Sequence, residues 1–353
     1  MSRLLSPLTL RGTTFRNRIW TSPMCQYSST EGRPSDWHLV HLGGFARGGC
    51  GLVFTEATAV TPEGRISPSD AGIWNDTQAA DYERITAFVR SQGAVPGIQL
   101  AHSGRKGSTA APWIGTGTVA GADGGWQTVA PSPIAFGAYA APRELAAEEI
   151  PALVRAYADA AARALGAGFE VIEVHAAHGY LLNEFLSPLS NERTDAYGGS
   201  PERRARLLYE IVDAVRAVWP DDRPVFVRVS GTDWVHGGLT VDDVGEIARV
   251  LAGHGVDLID VSSAGVSPDQ QVPIGPGYQV PLARAVRRAS GLPVGAVGLI
   301  TEPAQAETIL AEESADAVLL ARALLREPHW PQRAARELGD DVYWPPQYLR
   351  ARV

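Results

Sequence analysis

Cysteine is nearly absent from this 353-residue chain, which has only Cys25 and Cys50. Two thiols make no disulfide framework, and a four-cysteine iron–sulfur site is out of reach. No apolar run approaches the roughly 18 residues of a membrane span. The opening Met1-Ser-Arg-Leu-Leu-Ser-Pro7 carries no apolar segment of secretory type. A cytoplasmic protein with no membrane partner is therefore expected. Runs of basic residues are also missing and the net charge is −8, so no nucleic-acid partner is expected. Finally, no Gly-x-Gly-x-x-Gly follows the first strand and opens a helix. That weakens the doubly wound sheet as an architecture.

What is present is a full core and a regular rhythm. The chain is 45% hydrophobic. Its 37 glycines and 25 prolines stay below the roughly 25–30% that marks low complexity. After an alternating stretch around Arg11-Gly12, read as a short hairpin, come eight short apolar segments. They lie at 17–21, 51–56, 95–100, 169–174, 225–230, 258–262, 293–297 and 317–320. Helical patterns follow at 36–47, 76–92, 148–165, 200–219, 240–253, 279–290 and 301–313. Eight strands alternating with helices predict a (β/α)8 barrel, an α/β fold, as a single domain over 1–353. The segment 103–147 breaks the rhythm. Rich in Gly, Ala, Pro and Ser, with Trp113 and Trp126, it is expected to be a lid inserted after the third strand and containing a hairpin.

The most informative stretch is Phe169-Glu-Val-Ile-Glu-Val-His175-Ala-Ala-His178-Gly-Tyr180-Leu. It begins as a β-branched strand in which Val171, Glu173 and His175 share one face. It ends in His175, His178 and Tyr180, which can converge just past the strand's C-terminal end. Such a trio can hold a carbonyl oxygen with two donors and deliver a proton from a phenol. Two histidines three apart could also be zinc ligands, which leaves a metal-dependent hydrolase open.

In a barrel the chemistry gathers at the strands' C-terminal ends. Read there, the chain offers Ser22-Pro-Met-Cys25 and Tyr27, then Ala57-Thr58, Gln99 and His102, the trio, Arg228, Ser262-Ser263, Gly298 and Ala321-Arg322. Arg228 stands inside Val225-Phe-Val-Arg-Val. A buried unpaired ion is costly, so it must meet an anion, and Glu173 is the partner expected from alternation. Gly298 and Arg322 suit a phosphate between the last two loops. Cys25 reads equally as a small buried residue, and Tyr27 as a core aromatic.

The string His175-Ala-Ala-His-Gly-Tyr-Leu181, followed by Asn191-Glu-Arg-Thr-Asp-Ala-Tyr-Gly-Gly-Ser200, resembles the signature of the Old Yellow Enzyme family of FMN-dependent ene-reductases. His178 and Cys25 resemble its bacterial thermophilic-like subclass. The resemblance runs from Ser6 to Arg350. It implies an oxidoreductase in which NADPH or NADH reduces FMN and then leaves. The flavin then reduces the activated C=C bond of an α,β-unsaturated carbonyl compound. His175 and His178 would hold the carbonyl oxygen, and Tyr180 would protonate the α-carbon. Yeast-type members carry Asn where His178 stands, which implies a hydrogen-bond donor rather than a titrating group. Ser22, Pro23, Met24, Cys25, Ala57, Gln99, Arg228, Gly298, Ala321 and Arg322 would hold FMN, with Gln99 at the pyrimidine edge and Arg228 at N1–O2. Ala321 departs from the usual Gly-Arg of this phosphate loop. Tyr27 would meet the substrate, and phenolic ligands would bind as substrates do. Arg105-Lys106 would reach the flavin or a solvated rim. A homodimer or homotetramer is expected, with Arg350 passing into a neighbour's site. Another FMN-dependent barrel reductase or a demethylase is the alternative reading.

Overall fold

The computed structural model describes residues 2–352. An antiparallel hairpin, β1 (Leu8–Leu10) and β2 (Thr13–Phe15), comes first. Then follow β3 (Ile19–Thr21), α1 (Asp36–Gly48), β4 (Leu52–Ala59), α2 (Asp76–Ser91), β5 (Val95–Ala101) and the short strands β6 (Val129–Ala130) and β7 (Arg143–Glu144). The chain continues through α3 (Ile150–Gly166), β8 (Val171–Ala176), α4 (Leu181–Leu186), α5 (Pro201–Val218), β9 (Val225–Ser230) and α6 (Val241–Gly253). It ends with β10 (Leu258–Ser262), α7 (Val280–Ser290), β11 (Val294–Ala296), α8 (Pro303–Ala311), β12 (Ala317–Leu320), α9 (Arg322–Arg326) and α10 (Trp330–Glu337). Strands β3, β4, β5, β8, β9, β10, β11 and β12 close into a parallel barrel, so the expected (β/α)8 architecture and its hairpin are both present.

Local signals explain where the helices start. Asn75 caps α2 in a reciprocal box with Gln78, Thr240 caps α6 with Asp243, and Ser35 caps α1 with His38. The barrel wall then has two faces. Ile98, Leu100, Ile172, Val174, Val227 and Ile259 face the helices. The inward face is divided. At its lower end Trp20, Phe54, Val95, Val171, Phe226, Leu258 and Leu319 form one apolar plug with Phe15 of the hairpin. Phe15 lies 4.7 Å from Trp20, and Trp20 stacks on Phe226 at 5.7 Å. Further along the same strands the inward side chains become Gln99, four residues past Val95, and Glu173, Arg228 and Asp260, each two residues past its plug residue, all buried.

Two expectations need correction. Ala57 does not follow its strand but lies inside β4, just past a register shift between Phe54 and Ala57. In the segment 103–147 the two strands β6 and β7 do not form the expected hairpin, because they pair in parallel, and the antiparallel pairing there is one isolated bridge between Thr109 and Thr118. Two strands joined by the excursion 131–142 enter side by side in one direction rather than folding back on each other.

Candidate active site

β8 delivers His175 to the inner wall, in register with Arg228 of β9, which is in register with Asp260 of β10. The loop that follows is tight. His178 has φ +62, and a Cβ on Gly179 would stand 2.0 Å from the Gly265 oxygen. Only glycine allows the loops after β8 and β10 to approach this closely. Lys106 binds them together, donating to the His178 oxygen (2.7 Å) and the Gly265 oxygen (2.9 Å). Arg105 likewise donates to the Ile134 and Val266 oxygens. These two basic residues therefore tie the 103–147 segment to the rim loops and are not solvated.

The hydrogen bonds around the histidines fix their tautomers. Ala177 N–H donates to His175 Nδ1 (3.3 Å), so the ring hydrogen sits on Nε2, facing His178 Nδ1 at 3.4 Å. From the other end, Gln279 Nε2 donates to the Val297 oxygen (3.0 Å). That turns Gln279 Oε1 toward the hydroxyls of Ser263 (2.6 Å) and Ser262 (3.3 Å). Ser262 must donate to it and hence accepts from His178 Nε2 at 2.7 Å. Both ends assign Nε2–H to both rings. Burial and the nearby positive charges of Arg228 and Lys106 hold both imidazoles well below their usual pKa, so they are neutral donors. The rings meet each other rather than aiming two hydrogens at one point. Tyr180 stands edge-on to His175 with centroids 5.2 Å apart, and burial pushes its phenol well above 10.

Below this trio lies a charged layer whose pairing differs from the expected one. Arg228 Nε lies 3.0 Å from Asp260 Oδ2, and Glu173 Oε1 instead accepts from Gln99 Nε2 at 2.7 Å. Asp260 was legible by the same signal that singled out Arg228, a charge inside an apolar strand, and went unweighed. Burial raises the pKa of both Glu173 and Asp260, the Asp260 charge adds to the rise at Glu173, and Arg228 favours ionisation of both. Arg228 Nε, Glu173 Oε2 and both Asp260 carboxylate oxygens are buried without a hydrogen-bond partner.

The other sequence candidates surround this layer. Ser22 is buried, and its N–H donates to the Leu320 oxygen (2.9 Å). Pro23, Met24 and Cys25 follow it in the same loop, half-buried, and burial pushes the Cys25 thiol up. Tyr27 takes φ +50 and sets its ring 5.5 Å from Trp113. Gly298, Ala321 and Arg322 are brought together with Tyr278 and Gln279 around a cavity of about 220 Å³. Gly298 has φ +118, and a Cβ there would come within 2.8 Å of Gln279 Nε2. Arg350 is not brought to these residues by any hydrogen bond or ion pair among the described residues. It is exposed on the turn Pro346–Ala351, whose Tyr348 packs on Arg47. His175 and His178 belong to no group of three or more His, Cys, Asp or Glu side chains placed for a metal among the described residues.

Residues 3–341 match the NADH:flavin oxidoreductase / NADH oxidase family. The chain belongs to that family. Its members are FMN-dependent oxidoreductases that use a reduced nicotinamide dinucleotide, and the Old Yellow Enzyme resemblance stands with them. An NADPH dehydrogenase of Geobacillus thermodenitrificans is 48% identical over 350 residues, 98% of either chain. One from Halalkalibacterium halodurans is 46% identical over 351 residues, covering 99% of this chain and 98% of that one. Among solved structures, morphinone reductase in complex with tetrahydroNAD matches with a TM-score of 0.79 at 29% identity, over 98% of this chain and 93% of the other. The old yellow enzyme homologue from Zymomonas mobilis gives 0.79 at 27% identity, over 98% and 97%. A 2-naphthoyl-CoA reductase gives 0.86 at 26% identity, and this chain spans about half of that one, 52%.

The family's cofactor fits this wall. An isoalloxazine has hydrogen-bonding edges that suit the Arg228 guanidinium, whose Nε faces Asp260 without a hydrogen bond, and the Gln99 amide. The Gly298–Arg322 cavity offers a close backbone approach and a guanidinium for a phosphate. No helix among the described residues is long and apolar enough to cross a membrane.

Proposed function

We propose that the chain reduces the activated C=C bond of α,β-unsaturated carbonyl compounds, with NADPH or NADH as reductant. FMN, when bound, would supply the hydride chemistry that links the nicotinamide to the alkene. Arg228 and Gln99 would hold its ring system, Gly298 with Ala321-Arg322 its phosphate, and Ser22–Cys25 with Ala57 its remaining edge.

The observation that carries the reading is the His175–Tyr180 pair. It is a neutral imidazole with its hydrogen on Nε2 and, 5.2 Å away, a phenol that burial keeps protonated. A carbonyl oxygen at this wall takes the His175 Nε2–H in place of His178 Nδ1. A second donation from His178 requires it to give up Ser262. Negative charge developing on that oxygen strengthens both bonds, as at an oxyanion hole. The Tyr180 phenol can then give its proton to a strongly basic carbon. Tyr27, beside Trp113, forms a wall for the alkene. Arg350 and its exposed turn suit contact with a second copy, in a cytoplasmic homodimer or homotetramer.

The test is the visible spectrum of the purified protein titrated with p-hydroxybenzaldehyde. A flavin spectrum that gains a long-wavelength charge-transfer band is expected, and its loss in His175→Ala ties the band to this wall. A flavin spectrum with no response would contradict the histidine clamp.

A further inference from the structure

The sequence leaves His38 as structural or surface and gives Glu56 no role, yet the two form a buried pair next to the site. Glu56 sits at the register shift of β4, a bulge that re-aims its side chain. Its Oε1 lies 2.8 Å from His38 Nε2, and its Oε2 accepts from the backbone N–H of Gln26 at 2.8 Å. His38 Nδ1 already accepts from Ser35 N–H at 2.9 Å, within the α1 capping box, so the ring hydrogen is on Nε2 and points at Glu56. Both side chains are buried.

Gln26 lies between Cys25 and Tyr27, in the loop after β3. Its side chain completes the anchorage by donating to the Met24 oxygen (2.8 Å) and accepting from Trp37 Nε1 (3.0 Å). Tyr27, the next residue, has φ +50, a backbone conformation that a bulky residue keeps only when its surroundings impose it. Among the described residues, the only hydrogen bond from the barrel wall to this backbone is the one to Glu56.

We propose that Glu56 and His38 are a positioning pair that holds the Cys25–Tyr27 backbone and thereby aims the Tyr27 ring into the substrate pocket. The pair acts through Gln26 N–H and touches no substrate. Glutamine cannot replace Glu56. Its single oxygen can serve Gln26 N–H or His38 Nε2–H, and its amide nitrogen then faces a second donor. The part of the proposal that concerns substrate rests on the reading of Tyr27 given above. The part that concerns the loop does not.

The experiment compares holoenzyme Glu56→Gln, Tyr27→Phe and the double variant, with two readouts. The first is KM against kcat for 2-cyclohexen-1-one. Glu56→Gln should raise KM by about tenfold, the scale of one charge-assisted hydrogen bond, with a smaller change in kcat. The double variant should cost no more than Glu56→Gln alone, because both act through one side chain. The second readout is alkylation of Cys25 by iodoacetamide in the folded protein, with the buried Cys50 as internal control. Glu56→Gln should speed it several-fold at an unchanged folded fraction. Additive KM effects together with unchanged alkylation would overturn the proposal. If the wild type reduces no enone, the proposed reaction fails while alkylation still decides the loop's anchorage. If Glu56→Gln does not fold, His38→Leu removes the donor to Glu56 and leaves Glu56 in place. It should move both readouts in the same direction, and no movement would overturn the proposal.

Discussion

The two ends of the barrel's inner wall are built from the same strands and have opposite chemistry. Val171 and Glu173 are two residues apart on β8, Phe226 and Arg228 on β9, Leu258 and Asp260 on β10. The first of each pair joins an apolar plug sealed by Phe15, and the second enters a layer of buried charge. The plug needs nothing from outside the chain. The upper layer leaves four polar atoms on Glu173, Arg228 and Asp260 without a hydrogen bond, two of them, Arg228 Nε and Asp260 Oδ2, facing each other as an ion pair. Buried polar groups are normally satisfied, so an incomplete layer above a complete one marks where a ligand belongs. The fold is secured at one end so that the other can be left unsatisfied.

Breaking the lower end should show most strongly in stability. Trp20→Ala empties a fully buried indole that stacks on Phe226, and should cost about 3–5 kcal/mol in urea denaturation. Breaking the upper end should barely affect the apoprotein and strike FMN instead. Arg228→Leu removes the cation that opposes Glu173 and Asp260, which can then stay protonated. Its FMN affinity should fall about 10- to 100-fold, the range for a hydrogen bond to a charged group, measured by fluorescence titration. A stability loss as large as that of Trp20→Ala would erase the contrast.

The smallest effect sharpens the comparison by pH. Burial raises the Glu173 carboxyl above its ordinary value, so it binds its proton more tightly in the folded chain. The folded state therefore holds more protons than the unfolded one above the unfolded pKa, and this group's contribution falls as pH rises from there toward the raised folded value. Glu173→Gln, neutral at every pH and still able to accept from Gln99, should lack that slope. The melting temperature of the variant apoprotein should gain on wild type between pH 5 and 8. Parallel curves would mean that Glu173 is ionised throughout.

Much of the plug and the barrel wall was legible because periodicity and caps are local. The segments 225–230, 258–262 and 317–320 coincide with β9, β10 and β12, and the helical segment expected at 240–253 is α6, capped by Thr240. The site was legible only as residue types. The strand ends named most of its members, but not who meets whom. His178 and Ser262 are 84 positions apart and touch only because the barrel closes. Arg228 met Asp260 rather than Glu173 because β10 is also its neighbour, which one-strand alternation does not reveal. The segment 103–147 carries too little apolar periodicity to announce that β6 and β7 run parallel. Glu56 escaped because a bulge shifts its register.

On this reading the trio above the charged layer serves the alkene and not the nicotinamide. Anaerobic stopped-flow on Tyr180→Phe holoenzyme tests it most directly, following the flavin absorbance in each half-reaction. Reduction by NADPH should match the wild type, while reoxidation by 2-cyclohexen-1-one should slow by about 100-fold or more, the scale of a lost general acid. Equal slowing of both half-reactions, or none of either, would contradict the account.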